Sequence, residues 1–567
     1  MSPTAFRSGF HLAPGPLAGV LASHAEAAAR AGAGLFRKDT TTWSTDAAVQ
    51  EKIANRLGWL SSPELMAASL ARLRAFADGV RNDHFTDVVL LGMGGSSLAP
   101  EVLRAVLGIA PGAPRFHMLD STDPAAVLAV ATDPARTLYV LASKSGTTIE
   151  PNSLAAHFIR VLQDAGVPRW GDHFVAITDP GTALHARAQA EGFRDTFVNP
   201  ADIGGRFSAL SFFGLVPAAL MGQDIEGLVR HGLAMLDEAR DTANAAGNPA
   251  VGLGLLLGAG ARAGRDKATL VLPPSLDTFG LWVEQLVAES TGKQGVGVVP
   301  IAGEPVPASG DGGADRIYVR LRAAGDAAEQ ATDTAMSRLA DAPTLTLEFA
   351  EPAALGAEFM RWEIATAVAG ALLGVNPFDE PNVQTAKDAT NALLAVHRTE
   401  GRLPVAPPDR TLDDGTTFTL STAARTALGG AAPEGLLSLV GPGDYVGILA
   451  YLGPDPALAG AMADFRTAVR GRTHAATMFG YGPRYLHSTG QLHKGGANNG
   501  VFVLITDAPA RDVDIPGQPF TFGTLELAQA LGDFNSLDST GRRALHVHLP
   551  RPDAALLRRA LERLTAA

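Results

Sequence analysis

Two clusters of hydroxyl side chains follow directly on apolar runs, and both are built like seats for an oxyanion. In TLYVLASKSGTTIE, Thr137 to Ala142 read as a buried strand. Ser143, Lys144, Ser145, Gly146, Thr147 and Thr148 then form the turn that opens a helix over roughly Asn152 to Asp164. A helix N-terminus presents unpaired N–H groups and the positive end of the helix dipole, and the hydroxyls add further donors. Upstream, DVVLLGMGGSSLAP repeats the design, with a glycine turn at Gly92, Gly94 and Gly95 before Ser96 and Ser97. Taken singly, such a turn is most often just an N-cap; two of them in one half of a chain point to one phosphorylated ligand. Neither is GxxxxGK[ST] or GxGxxG, so the fingerprints of nucleoside triphosphate and dinucleotide sites are missing and a sugar phosphate is the expected ligand.

Four polar segments hold candidates for the chemistry itself. In GGRFSALS, Arg206 follows a glycine pair, where backbone can approach a ligand and a guanidinium can be aimed at an oxyanion. Glu289 ends the strongly apolar helix FGLWVEQLVAES, and partial burial there raises a carboxyl toward the pKa of a useful base. Lys387 lies in NPFDEPNVQTAK, just past a Pro-containing turn, and His487 and His493 lie in GYGPRYLHSTGQLHKGG. The bland alternatives are a capping glutamate and a surface lysine. The two histidines are six apart, which suits neither one helical face nor HxxxH spacing, so no metal site is expected.

The elements that must position these groups are α/β in character. From Asp87 to about Met221, apolar strands (DVVLLG, FHMLD, TLYVLA, FVAIT, TFVN) alternate with helical segments, the mark of a doubly wound parallel sheet. Gly92, Ser143 and the TDPG turn at Thr178 to Gly181 then share the carboxyl edge, where such sheets bind ligands. A second alternating unit begins near Asp266. The expected organisation is a helical N-terminal arm over 1–75, a first α/β domain over 76–240, and a second over 241–400. Residues 401–440 read as a Pro/Gly-rich linker or excursion, and 441–567 as strands and helices that complete the second sheet.

Composition narrows the class. With 567 residues and 46% hydrophobic content the chain can bury large cores in several domains. A net charge of −12 argues against nucleic acid or an anionic membrane as partner, and any phosphate site must be locally positive. The absence of cysteine excludes disulfides, thiol nucleophiles and thiolate metal sites. No apolar run has the length of a spanning helix, so a soluble, cytoplasmic protein is expected.

In combination, GMGGSSLAP, ASKSGTTIEP, IGGRFSALS, AESTGK, NPFDEPNVQTAK and LHSTGQLHKGG make the chain, from about residue 85, resemble the glucose-6-phosphate isomerase (phosphoglucose isomerase) family, with its two sugar-isomerase (SIS) domains. NRLGWL and FTFGTLELAQALGDF are most similar to the isomerase half of bacterial transaldolase/glucose-6-phosphate isomerase fusions. The resemblance implies an aldose-ketose isomerase of glycolysis and gluconeogenesis that works through ring opening and a cis-enediolate, without cofactor. It implies phosphate binding by Gly95, Ser96, Ser143, Lys144, Ser145, Thr147 and Thr148. It makes Glu289 the base between C2 and C1, Arg206 the support of the enediolate, His487 the ring-opening group and Lys387 the group at the ring-oxygen end. A homodimer and a functional link to a transaldolase are compatible with it. So are a broader phosphoglucose/phosphomannose isomerase and a non-catalytic sugar-phosphate sensor, although a sensor needs no base.

Two departures from the family pattern stand out. Lys387 precedes His487, the reverse of the family's usual order, so the second domain is expected to be wired differently. Glu380 stands where the family commonly has Gln, and a carboxylate near a phosphate must turn away or pair with a cation.

Overall fold

The computed structural model describes residues 9–307, 312–323, 325, 326, 329–339 and 341–567. The N-terminal arm is helical, as expected, but among its described residues the first element is a short strand, β1 (Phe10–Ala13). The first α/β unit holds β2 (Asp87–Gly92), β3 (Arg115–Leu119), β4 (Thr137–Ala142), β5 (Phe174–Thr178) and β6 (Asp195–Val198), in the parallel order β3-β2-β4-β5-β6. Every residue of β2 and β4 is buried, which is why both read as continuous apolar runs and not as alternating patterns. The chain leaves β2 for one side of the sheet and crosses back to β4. The carboxyl ends of β2 and β4, paired at Gly92 and Ala142, therefore flank a topological switch point.

The second unit holds β7 (Lys267–Val271), β8 (Val299–Ile301), β9 (Arg316–Ala323) and β10 (Thr344–Phe349), ordered β1-β10-β9-β7-β8. β1 is antiparallel to β10, with Phe10 opposite Leu347. Beneath this sheet the helix Leu355–Leu373 is buried almost all round and lies against the helix Val251–Arg262. The approach is so close that a Cβ on Gly254 would stand 2.5 Å from the carbonyl oxygen of Ala365.

The strands after residue 400 do not complete the second sheet. β11 (Arg410–Thr411), β12 (Thr417–Leu420), β13 (Tyr445–Tyr451), β14 (Ala476–Tyr481), β15 (Gly500–Asp507) and β16 (Arg543–Leu549) form a third, six-stranded sheet in the order β11-β12-β16-β15-β13-β14. It has a core of its own, from Phe418 to Leu564. The segment 401–440 is correspondingly no linker, since it supplies β11, β12 and the helix Thr422–Leu428. The reason lies in β8. This edge strand is three residues long and contains Pro300, which has no N–H to offer a further strand. β14 comes up beside β8 without pairing to it, held by Thr477, whose backbone N–H and hydroxyl donate to Glu304 at 2.9 and 2.8 Å. The helices Val383–Glu400 and Phe522–Ser539 pack together and bury Leu393, Leu394, Phe522 and Leu525 against the first unit.

Candidate active site

The hydroxyl turn after β4 is internally tied. Ser143 Oγ accepts from the Gly146 N–H at 3.1 Å and stands 3.2 Å from Thr148 Oγ1, and Ser145 Oγ is 3.0 Å from Thr147 Oγ1. Gly146 has φ +70°, and a Cβ there would meet the Leu184 backbone nitrogen at 2.6 Å, so the turn needs glycine on both counts. The helix that follows runs Ile149–Asp164, one turn longer at its start than the sequence indicates. After β2, the turn at Gly94–Ser96 presses on the turn that carries Arg206: a Cβ on Gly95 would stand 2.0 Å from the Gly205 carbonyl oxygen. The two glycine turns thus bring the second seat and the guanidinium together.

Arg206, only 4% exposed, is fully engaged. Nε donates to Ser290 Oγ at 2.7 Å, Nη2 to the Pro377 and Asp379 carbonyls at 2.8 and 2.9 Å, and Nη1 to Glu380 at 3.0 Å. The expectation that Glu380 pairs with a cation is met by this last contact. Arg206 Nη1 also lies 3.5 Å from Glu289, at the end of the helix Phe279–Thr291. Burial pushes the Glu289 carboxyl up to about 7; Arg206 opposes that rise and Glu380 reinforces it. Nearby, the buried Lys293 binds the same 376–380 turn through the Asn376 carbonyl and Asp379, both at 2.8 Å, and burial with the neighbouring Arg206 brings its ammonium down to about 8.

His487 enters from the third unit, in the turn after β14. Its Nε2 lies 2.8 Å from Glu150 Oε1, in the first turn of the helix that starts at the hydroxyl loop. Burial alone would raise Glu150, but the charge and hydrogen bond of His487 prevail and hold the carboxyl below its ordinary value. An ionised carboxylate only accepts, so Nε2 carries the proton. Gln285 joins the two halves: its Nε2 donates to the His487 carbonyl at 2.7 Å and lies 3.3 Å from Glu289 Oε2.

A cleft of about 530 Å³ is lined by Gly95, Ser96, Ser143, Lys144, Ser145, Thr148, Arg206, Glu289, Lys387 and His487. An adjoining cavity of about 330 Å³ shares Thr148, Lys387 and His487 and adds Thr147 and Glu150. Every residue to which the family resemblance gives a role therefore meets in one place. Lys387 and His487, reversed in sequence, face the same cavity because the third unit folds back over the first. The ammonium of Lys144 is held at the edge of the cleft by Asp179 and, at 2.9 Å, by the Ala201 carbonyl. His493 is not part of the site. It lies in the third unit's core among Tyr445, Tyr485 and Phe502, where burial drives its pKa well below the usual range.

Glu150 and Gln285 are site residues that the sequence did not single out. Glu150 stands in the quoted motif TTIEP, and Gln285 precedes Glu289 by one helical turn on the same face, the only signal available for it. Among the described residues no group of three or more His, Cys, Asp or Glu side chains could hold a metal ion, and no helix is long and apolar enough to cross a membrane.

A profile of phosphoglucose isomerase matches residues 66–299, which hold both hydroxyl seats, Arg206 and Glu289. The glucose-6-phosphate isomerase of Thermosynechococcus vestitus is 31% identical over 398 residues, covering 60% of this chain and 75% of that one. The glucose-6-phosphate isomerase of Rubrobacter xylanophilus is 30% identical over 371 residues, 56% of this chain and 84% of that one. Among solved structures, a hypothetical protein from Thermus thermophilus superposes with a TM-score of 0.56 at 26% identity, covering 68% of this chain and 100% of that one. A glucose-6-phosphate isomerase from Chlamydia trachomatis shares the fold with a TM-score of 0.52 at 21% identity, covering 64% and 78%. With a raised carboxyl, a guanidinium and two hydroxyl seats inside the matched segment, the chain belongs to the phosphoglucose isomerase family.

Proposed function

We propose that the protein interconverts glucose 6-phosphate and fructose 6-phosphate, and that the residues gathered in the cleft divide the reaction among them. The phosphate sits on the hydroxyls of Ser96, Ser143, Ser145 and Thr148, with Gly95 and Thr147 alongside, at two helix N-termini. His487, its Nε2 proton held by Glu150, moves the proton that opens the hemiacetal, and Lys387 stands at the ring-oxygen end. Glu289 then takes the C2 proton and returns it to C1, while Arg206 stabilises the enediolate charge. The observation that supports this division most directly is the pairing of Glu289, raised to about 7, with Arg206 at 3.5 Å, on the same cleft as the His487–Glu150 pair. A base near neutrality is in its working form at physiological pH and still basic enough to abstract a carbon-bound proton. The composition and the phosphorylated substrate favour the cytoplasm as its location.

A coupled assay on the purified protein with each hexose phosphate tests the reading. Conversion in both directions is expected, with part of a tritium label at C2 carried to C1, because one carboxylate holds the proton between adjacent carbons. Binding of both sugars without turnover would reduce the protein to a sensor.

A further inference from the structure

Glu150 has a second partner, and it comes from the far end of the chain. Gln529, on the helix Phe522–Ser539, donates Nε2 to Glu150 Oε1 at 2.6 Å, the same oxygen that His487 Nε2 reaches at 2.8 Å. The Gln529 carbonyl oxygen in turn accepts from Thr122 Oγ1 at 2.8 Å. All three side chains are buried, with Thr122 at 0%, Gln529 at 2% and Glu150 at 3% exposure. The chemistry fixes the orientation of this amide. A carboxylate has only acceptors, so the NH₂ group must face Glu150, and the Thr122 hydroxyl is left with a carbonyl to donate to. A chain of donors therefore runs Thr122 to Gln529 to Glu150, where it meets the one from His487. Thr122 belongs to the loop after β3 in the first unit, and Gln529 to the last helix but one.

We propose that Gln529 is a positioning residue for His487. It clamps the Glu150 oxygen that holds the imidazole proton, keeps that buried carboxylate ionised, and leaves Nδ1 of His487, without a partner among the described residues, to face substrate. Burial would neutralise this carboxylate, and the charge and hydrogen bond of His487 oppose that. The Gln529 amide brings a second donor to the same oxygen, and a donor to a carboxylate favours its charged form. A single donor would leave the carboxyl free to rotate or take up a proton, and the ring would lose its fixed orientation. This inference rests on the isomerase reading for what His487 does, but the clamp itself is visible without turnover.

The test combines kinetics with proton NMR of ¹⁵N-histidine-labelled protein. Wild type should show a downfield Nε2 proton that is absent from His487→Ala. In Gln529→Leu that signal should move upfield or vanish by exchange, and kcat on the cyclic hexose phosphate should fall about tenfold, the scale of one hydrogen bond to a charged group, with KM within about twofold. Thr122→Val should act in the same direction and less strongly, and Thr122→Ser, which restores the hydroxyl, should recover both readouts. A folded Gln529→Leu protein with the wild-type signal and kcat overturns the proposal. Should Gln529→Leu fail to fold, the Thr122 pair decides, and equal behaviour of Val and Ser overturns it. Wild type with the downfield signal but no isomerase activity would reject the functional reading and leave the clamp standing.

Discussion

Glu289 and Glu380 share one nitrogen of Arg206, at 3.5 and 3.0 Å, so two carboxylates from different parts of the chain compete for a single cation. Burial is the main reason that the Glu289 carboxyl is raised, and the charge of Glu380 adds to it while Arg206 opposes it. Glu380→Gln removes that charge while leaving an acceptor for Arg206 Nη1, so the pKa of Glu289 should drop. The acid limb of kcat/KM, which should lie near pH 7 in the wild type, then moves to lower pH. A limb that stays in place or moves up would mean that Glu289 is not the group that titrates.

Glu289→Gln keeps the shape and removes the basicity. Proton transfer by a placed side chain is worth about 10²- to 10⁴-fold, so kcat should fall by at least about two decades with little change in KM. Near-normal kcat in this variant would assign the base elsewhere.

Ser143→Ala should raise KM about tenfold and lower kcat less, because the hydroxyl both donates to phosphate and braces the Gly146 N–H. Competition by a phosphorylated inhibitor measures the effect apart from turnover. Unchanged inhibitor affinity would remove Ser143 from the phosphate seat.

The two histidines should separate cleanly. His487→Ala should lose about 10²-fold or more in kcat while its Tm stays near wild type. His493→Ala, which empties a space among three aromatic rings, should cost about 2–4 kcal/mol of stability and leave the folded fraction active. The opposite pattern would exchange their roles.

Glu284, on the same helix as Glu289, supports a stability prediction away from the chemistry. Its carboxyl accepts from the Ala302 N–H at 3.1 Å, and burial, opposed by Arg466, pushes it up to about 7. A folded-state pKa above the ordinary 4.5 favours the protonated form. That contribution is fully present below about pH 4.5 and is lost as pH rises through about 7, by up to about 3 kcal/mol. Glu284→Gln cannot ionise, so its Tm should fall less than that of the wild type between pH 5 and pH 8. Parallel Tm curves would show that Glu284 ionises without cost.

The centre of the first sheet was readable because β2 and β4 are buried along their whole length and stop at glycine or hydroxyl turns, so TLYVLA and DVVLLG announce both the strand and the seat beyond it. β1 was not, since four residues of ordinary alternation inside a helical arm leave no distinct signal. The third sheet has strands as apolar as those of the second, and strand composition does not state which partner a strand will take. The decision rests on the short, Pro300-bearing edge of β8. Glu289 and Arg206 could be picked out from local context, an apolar helix end and a glycine pair. Glu150 could not, because what sets it apart is a partner 337 positions away.

That separation has a consequence for how the site comes into being. While the protein is being synthesised, the first 440 residues can already form the hydroxyl turns and bring Glu289 to Arg206, since these groups lie within the first two sheets. The imidazole arrives only with the turn after β14, and the amide that steadies its carboxylate only with the helix Phe522–Ser539. On the proposed division of roles, a nascent chain at that stage would carry the phosphate seats, Glu289, Arg206 and Lys387 but not the imidazole that opens the ring, so ligand binding should precede catalytic competence on the ribosome.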